Sequence, residues 1–593
     1  MLAALSLIGF AATPGRLRPR SSRRAIPYSL SAGTLLVGLT TWSVGSLIGT
    51  TAVFPLLALI FLGSLSRLRP WASASRDVVR LLLRLARTDA VSSMALLFLL
   101  ALLLPQLLLP VVDSDGLRYH LALPKLFLLT GKIFIYRWDP VGTFPQITES
   151  IYLIVLRIAG GETAKFVHAG FFVASLAVLI LLLHRERRSR RFAVLAAVLF
   201  AAAPVVLAPA TAAFTDHAAL FHLATALVLL TRSPRGETAT FACAGIALAA
   251  AAGSKLTAGP VIAALILYGL WMIWSRHPSE PGWKIRTAAW LVLPPILAFA
   301  PFGLEAALLR GDPFYPLGYA VLHKPIPGIA RERLEYTTQF HSNVGGPLGI
   351  GWTPGNGLQD DEVAGLHHAI GLFALALCIR DRRARRYLLL IVPLLAVAVV
   401  MRPPTRYLIP MFFGLAALEA QAAAAVFRRA ARFFGLLLAL PAIVASASFL
   451  LTHLAPADFL RGRTSRRSFL ETRLPGYRAT EIVNSLPPGG VVMALDLPVP
   501  YYFDRPWIVE GILFDPPLVS WVHEGAGTSE ISEHLRELGV RYLVVTPGYG
   551  GGTPSSLSPI ARTRAEASVV AELRRSLRLV TTADRTDIFE VVP

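Results

Sequence analysis

Apolar residues recur along this chain in long, nearly unbroken runs separated by short polar or basic segments. A hydrocarbon core about 30 Å thick needs close to 20 residues at helical rise, so each run of roughly 15 to 22 apolar residues predicts a spanning helix. The runs fall at 28–48, 50–66, 91–112, 164–184, 192–211, 213–231, 238–252, 254–275, 288–309, 364–380, 387–401, 407–427 and 433–454, about thirteen crossings. After residue 455 helical and strand-like patterns alternate. Tyr477 to Ser485 reads as a helix and Val491 to Leu495 as a strand after a Pro-Pro-Gly-Gly turn. A helix from Glu530 to Leu538 precedes the strand Arg541 to Val545, and a helix over 562–576 precedes the strand Asp587 to Val592. This order predicts a small α/β domain.

The fold class is therefore mainly α: a polytopic helical membrane protein with a small C-terminal α/β domain. Three parts are expected. Residues 1–90 hold the N-terminal helices and a basic segment, 91–454 the main transmembrane domain, and 455–593 the α/β domain. Long loops are expected at 113–163 and 310–363. Within the first, Ser150 to Ile158 is apolar but too short to span, and reads as an interfacial helix.

Composition agrees with this class. Of the 593 residues 54% are hydrophobic and only 16% charged, far from the balance of a soluble protein. The net charge of +21 invites a nucleic-acid reading, but the basic residues sit in short runs between apolar segments. That is the pattern of cytoplasmic loops facing anionic lipid headgroups, so membrane lipids are the expected partners and nucleic acid is not. Counting spans puts the runs at Arg67 to Arg87, His184 to Arg191, Arg380 to Arg386 and Arg428 to Arg432 on one side, with the N-terminal arginines. The expected topology has the N-terminus cytoplasmic and the C-terminal domain outside a bacterial-type plasma membrane. The apolar first dozen residues precede the arginine run, the wrong order for a cleaved signal peptide. Cys243 and Cys378 are far apart in sequence and give no disulfide framework or zinc spacing.

The same count gathers polar residues at the outer face. Asp113 and Asp115 end one helix within Val111-Val112-Asp113-Ser114-Asp115-Gly116-Leu117-Arg118-Tyr119-His120; Thr215-Asp216-His217 begins another, and Gly253-Ser254-Lys255 lies at a turn. Arg402 and Arg406 flank a Pro-Pro-Thr loop, and Tyr407 enters the next helix. A membrane-edge cation is commonly a snorkelling anchor, but anchoring charge concentrates on the opposite face here. Lys255, Arg402 and Arg406 are thus expected to bind a lipid phosphate or pyrophosphate. A carboxylate beside a low-dielectric boundary can have its pKa raised into the range of a general base, and Asp115 is the better candidate. A second reading makes Asp113 and Asp115 hard oxygen ligands of a divalent cation such as magnesium or manganese. Tyr119 and His120 would line the pocket.

The segment Asp115 to Ala122 is similar to the Asp-Glu-x-x-Tyr motif in the first outer loop of GT-C-fold glycosyltransferases, the superfamily of protein O-mannosyltransferases and aminoarabinose transferases. Further similarity lies in Phe144 to Glu149 with Tyr152, Thr215-Asp216, Gly253-Ser254-Lys255, Gly311 to Pro316, and Arg406 to Pro410, in the expected order over residues 90 to 430. The resemblance implies a polyprenyl-phosphate sugar donor, inverting transfer on the outer face, and a catalytic aspartate at Asp115. Gly116 stands where the family has glutamate, which leaves Asp113 as a candidate substitute. The function expected is transfer of a sugar from a polyprenyl-phosphate donor to a lipid, glycan or protein acceptor. Asp115 would be the base, with Asp113 in support. Lys255, Arg402 and Arg406 would hold the donor phosphate, and Tyr119, His120, Glu149, Asp216 and Tyr407 would bind substrate. The alternatives are a lipid-linked oligosaccharide transporter, which should carry charge along a path through the bilayer, and a non-catalytic glycan-binding scaffold.

Overall fold

The computed structural model describes the chain except residues 16–17, 20, 185–191, 232–236, 277–280, 316–317, 320–362, 379–380, 382–383, 402, 428–429, 496, 498, 510–517, 519–520, 522–525, 546–576, 584–585 and 592–593. Among the described residues, nine helices are long and apolar enough to cross a membrane: Ser22–Leu47, Thr50–Thr88, Ala90–Leu107, Gly161–His184, Leu256–Ser275, Pro281–Arg310, Ala384–Met401, Thr405–Val426 and Ala431–Thr452. The run at 192–211 breaks into Ala193–Ala202 and Pro204–Thr211, bent by 87°. Pro204 cannot donate the backbone hydrogen bond that would continue the first helix. The runs at 213–231, 238–252 and 364–380 fold as the shorter apolar helices Asp216–Thr231, Thr238–Ala252 and Leu366–Cys378. Every predicted span is thus helical among the described residues; three are shorter than the nine, and the bent pair makes a tenth if it is counted as one span.

Two elements differ from expectation. The Ile147–Ala159 helix is no interfacial segment: Ile151, Tyr152 and Leu153 are fully buried, and it packs against the Ser22–Leu47 and Gly161–His184 helices. Every residue from Ile147 to Val155 is buried, which marks a core helix. The basic segment after Leu68 is not a loop. It continues as the helix Leu68–Thr88, burying Val78, Leu81 and Leu85 on one face and exposing Arg76, Arg80, Arg84 and Arg87 on the other.

The C-terminal domain contains a five-stranded sheet of β1 (Val491–Leu495), β2 (Trp507–Val509), β3 (Val540–Val545), β4 (Arg578–Ala583) and β5 (Thr586–Glu590), in the order β2-β1-β3-β5-β4. β1 pairs in parallel with β2 and β3, and β5 runs antiparallel to β3 and β4. Side chains alternate between the two faces. Val492, Ala494, Tyr542, Val544 and Ile588 join the core shared with the helical bundle, while Met493, Leu495, Leu543, Val545 and Phe589 form a second core with Ile531 and Leu535 of the Thr528–Glu537 helix. The helix expected over 562–576 lies outside the described residues.

The domain rests on the segment that carries the candidate chemistry. The Tyr136 hydroxyl donates to the Val509 carbonyl and accepts from its amide, both at 2.8 Å, and Tyr502 donates to the Val111 carbonyl at 2.8 Å. Lys125 pairs with Asp504 at 2.8 Å.

Candidate active site

The helix Ala90–Leu107 begins on Asp89, whose side chain accepts from the Ser92 amide. Its C-terminal end is closed by a lysine from another helix. The Lys165 ammonium donates to the carbonyls of Gln106 and Leu109 at 2.9 and 2.7 Å, satisfying groups that have no partner inside the helix. Beyond that end the chain turns at Asp113, whose carboxylate accepts the Gly116 amide at 2.6 Å. A wide helical turn over Gly116–His120 follows, closed by Leu121 donating to the Gly116 carbonyl at 3.1 Å. Turns with this wider hydrogen-bond spacing are frequent at functional sites.

The turn presents Asp115 to Arg406, which forms an ion pair with its Oδ2, and to the Tyr119 hydroxyl, which donates to the same oxygen at 3.1 Å. Both ion-pair side chains are largely buried. A second pair stands beside the first: Lys255 Nζ lies 2.5 Å from Asp216 Oδ1. Aromatic faces join the two. Arg406 lies over the rings of Phe214 and Tyr407, at 4.9 and 5.5 Å, and Lys255 over Tyr407 at 5.0 Å. A third contact links His120 Nδ1 to Glu149 Oε1 at 2.7 Å, and the His120 ring lies tilted against Tyr119. Segments far apart in sequence therefore converge, and Asp115, Asp216, Lys255, Arg406, Tyr119, His120, Glu149 and Tyr407 form one cluster. Asp113 faces the Gly116 backbone at its edge, and Arg402 lies outside the described residues.

Local structure explains the convergence. The Ile147 amide donates to the Gly253 carbonyl at 2.9 Å, and Thr148 donates to Ser254 at 2.9 Å. A side chain at 253 would run into Ile147, so glycine lets the helix bearing Glu149 meet the turn that presents Lys255. Asp216 opens its helix next to a braced histidine. His217 Nε2 donates to the Val206 carbonyl, and the His217 amide donates to His168 Nε2, whose Nδ1 faces the Ala212 carbonyl.

Burial pushes the Asp115 carboxyl up, but Arg406, His120 and Lys255 together outweigh it and hold the group below the usual aspartate value. The raised pKa expected of Asp115 is found instead at Asp113, where burial dominates over the Gly116 hydrogen bond and the attraction of Lys165. Burial, with Asp115 adjacent, pushes the Tyr119 phenol well up, so it remains a hydrogen-bond donor.

Two contributors, Phe214 and Lys165, were not anticipated, and Tyr152 acts through a backbone contact. Phe214 forms the platform under Arg406 and also lies near His120 and His168. The Tyr152 hydroxyl fixes it by donating to the Phe214 carbonyl. Lys165 sits in an otherwise apolar run and reads as an anchor until its partners are known. Several polar atoms of the cluster make no hydrogen bond among the described residues: His120 Nε2, Glu149 Oε2, Asp216 Oδ2 and Arg406 Nε. Buried polar groups are ordinarily satisfied, so these are ready contacts for a bound molecule.

The fit of a magnesium or manganese ion to Asp113 and Asp115 is poor. Among the described residues no third His, Cys, Asp or Glu gathers with them, and Asp115 already faces a guanidinium. A cavity of about 270 Å³ opens elsewhere, lined by Trp42, Ser46, Ile133, Gln146, Phe302 and Glu305 among others, away from both ion pairs.

The family model for dolichyl-phosphate-mannose-protein mannosyltransferase matches residues 136–309. That stretch carries Glu149, Asp216 and Lys255 but neither Asp115 nor Arg406. ArnT from Cupriavidus metallidurans, solved bound to undecaprenyl phosphate, superposes with a TM-score of 0.51 at 15% identity, covering 86% of this chain and 98% of ArnT. The chain has the GT-C fold. The apo form of ArnT superposes equally broadly, with a TM-score of 0.50 at 15% identity, 86% coverage of this chain and 98% of ArnT. Mycobacterial arabinofuranosyltransferase AftD overlaps 85% of this chain and 42% of its own at 18% identity and a TM-score of 0.47. No curated protein matches by sequence.

Proposed function

We propose that the chain is an integral-membrane glycosyltransferase that moves a sugar from a polyprenyl-phosphate carrier to a lipid, glycan or protein acceptor on the outer face of the plasma membrane. The observation that carries this reading is the adjacency of two carboxylate–cation pairs, Asp115–Arg406 and Asp216–Lys255, on shared aromatic platforms. The undecaprenyl phosphate held by ArnT supports a carrier of that class, and the mannosyltransferase family match supports a sugar as the group moved.

The pairs suggest how binding and chemistry connect. A donor phosphate arriving at Arg406 and Lys255 competes with Asp115 and Asp216 for the same N–H groups. A carboxylate that loses its cation becomes more basic. Asp115 then takes the proton of the acceptor hydroxyl as its oxygen bonds to the anomeric carbon, and the bond from that carbon to the carrier phosphate breaks. The departing phosphate keeps the electron pair and rests on Arg406 and Lys255, with Arg402 the third cation of the set. Attack opposite the leaving group inverts the anomeric centre. Tyr119 orients Asp115, Asp113 holds the turn, and His120, Glu149, Asp216 and Tyr407 contact donor or acceptor through their unpaired atoms and ring faces. No step is routed through a metal ion at Asp113 and Asp115.

The test compares glycolipids and glycoproteins from cells with and without the gene by mass spectrometry. Loss of one sugar modification, restored by the wild-type chain, is the expected result; unchanged profiles contradict the proposal.

A further inference from the structure

A second polar cluster lies inside the bundle, away from the candidate active site. His367 and His368 open the helix Leu366–Cys378, and Glu419 lies on the helix Ile409–Val426. Glu419 is thirteen residues beyond Arg406, roughly 20 Å along the helix at 1.5 Å per residue. All three side chains are more than nine-tenths buried. His367 Nε2 stands 2.8 Å from the Leu199 carbonyl, and His368 Nδ1 stands 2.7 Å from Glu419 Oε1. The His368 ring stacks on Phe412 at 5.1 Å.

The carbonyl contact settles the tautomer of His367. A carbonyl only accepts, so His367 Nε2 carries the proton and Nδ1 of the neutral ring keeps its lone pair. His368 Nδ1 faces the Glu419 carboxylate directly, and either a proton or a metal ion can bridge the two atoms. Among the described residues, His367 Nδ1, His368 Nε2 and Glu419 Oε2 have no hydrogen-bond partner. An ion held by His367 Nδ1, His368 Nδ1 and a Glu419 oxygen takes the place of the proton between His368 and Glu419, and the neutral His368 ring then carries its proton on Nε2. One ligating atom from each residue lies within 4.8 Å of the other two. Donor atoms around a tetrahedral zinc-type ion stand roughly 3.3–3.6 Å apart at metal–ligand distances of about 2.0–2.2 Å, so side-chain rotations that draw the three together close the site.

The surroundings are those of a ligand set. The Leu199 carbonyl fixes the tautomer of His367, as backbone carbonyls do for metal-bound imidazoles. Gly371 makes the room: a Cβ there would collide with the Glu419 carboxylate. Two imidazoles and one carboxylate suit a divalent transition metal better than magnesium or calcium, which favour all-oxygen sites.

We propose that His367, His368 and Glu419 bind one divalent transition-metal ion of the zinc type, tying the Leu366–Cys378 helix to the Ile409–Val426 helix that begins beside Arg406. The ion has a structural role. Three protein ligands leave a fourth position for water.

The test uses the full chain purified in detergent, stripped with a chelator and titrated with Co²⁺ and then Zn²⁺. One equivalent of Co²⁺ with visible d–d absorption, displaced by Zn²⁺, is expected. Binding should weaken at least tenfold in His368→Gln and Glu419→Gln but persist in His120→Gln. Zinc should raise the unfolding temperature of the wild type and not of Glu419→Gln. Should the variants fail to fold, X-ray absorption on the zinc-loaded wild type decides, with two imidazoles and an oxygen shell expected. Absence of stoichiometric metal, binding unchanged in His368→Gln and Glu419→Gln, or a shell without imidazole overturns the proposal.

Discussion

The Asp113 carboxylate lies against Gly116 and accepts its amide at 2.6 Å, filling the space into which a side chain at 116 would project. The carboxylate near the turn is thus supplied from three residues upstream of position 116. Replacing Gly116 with glutamate would force Asp113 out rather than add a working acid. Gly116→Glu should reduce sugar transfer by at least tenfold and destabilise the fold by about 1–3 kcal/mol, the usual range for overpacking. Pairing it with Asp113→Ala should recover part of the stability, because the collision is removed. A double-mutant cycle of thermal unfolding checks this; additive effects would show that the two residues do not compete.

Lys165 connects stability to site geometry. Lys165→Met keeps the length of the side chain but leaves the Leu109 carbonyl without its donor, while the Gln106 carbonyl keeps the Leu109 amide. The expected loss is about 1–3 kcal/mol, the desolvation penalty of a buried group left unpaired. Since the same carbonyls end the helix that delivers Asp115, turnover should fall more than donor affinity. A loss of affinity alone would argue against positioning.

The Arg406–Asp115 pair makes a pH prediction. Arg406 contributes to holding Asp115 below the ordinary aspartate value, so Asp115 is ionised throughout the neutral range. Its folded pKa lies below the unfolded one, so the group contributes stability above the unfolded value of about 4. That contribution is lost as pH falls through the folded pKa. Arg406→Gln leaves a buried carboxylate without its cation and raises its folded pKa, so the acid limb of activity should move to higher pH, while the acid-side loss of stability from this group should shrink or reverse. Activity profiles with urea or thermal titration between pH 3 and 7 read both changes. An acid limb of activity that stays put would separate Asp115 from Arg406.

Docking of the C-terminal domain depends on Tyr136 more than on the exposed Lys125–Asp504 pair. Tyr136→Phe removes both hydrogen bonds to Val509 and should speed amide exchange in β2 by roughly tenfold, as expected for a loss of about 1–1.5 kcal/mol. Lys125→Ala, at a largely exposed pair, should change little, within about 0–1 kcal/mol. Equal exchange rates in the two variants would contradict this ranking.

The spans were legible because membrane crossing imposes length and apolarity together, and every predicted run is helical. Their completeness was not: the 192–211 run carries Pro204 at its break, yet its composition resembles that of an unbroken span. Strands β1 and β3 stood out as apolar runs after turn residues. β2, at three residues following Arg505-Pro506, is too short to carry a period. Asp115, Asp216, Lys255 and Arg406 were legible as polar residues at helix ends. Their pairing was not, because Asp115 and Arg406 are 291 residues apart and only packing brings them together. Phe214 and Lys165 act through backbone and ring contacts that no spacing rule records.

The most direct test of the proposed chemistry is sugar transfer by Asp115→Asn, which keeps the size of the side chain and one acceptor oxygen for Arg406 or Tyr119 but loses the charge and cannot take a proton. Transfer would be measured with purified enzyme, a polyprenyl-phosphate sugar donor and the acceptor identified by mass spectrometry, after wild-type-like unfolding has been verified. A fall of roughly 100-fold or more, with donor binding retained, is the predicted result, matching the usual contribution of a general base. Transfer at the wild-type rate would contradict the assignment of Asp115.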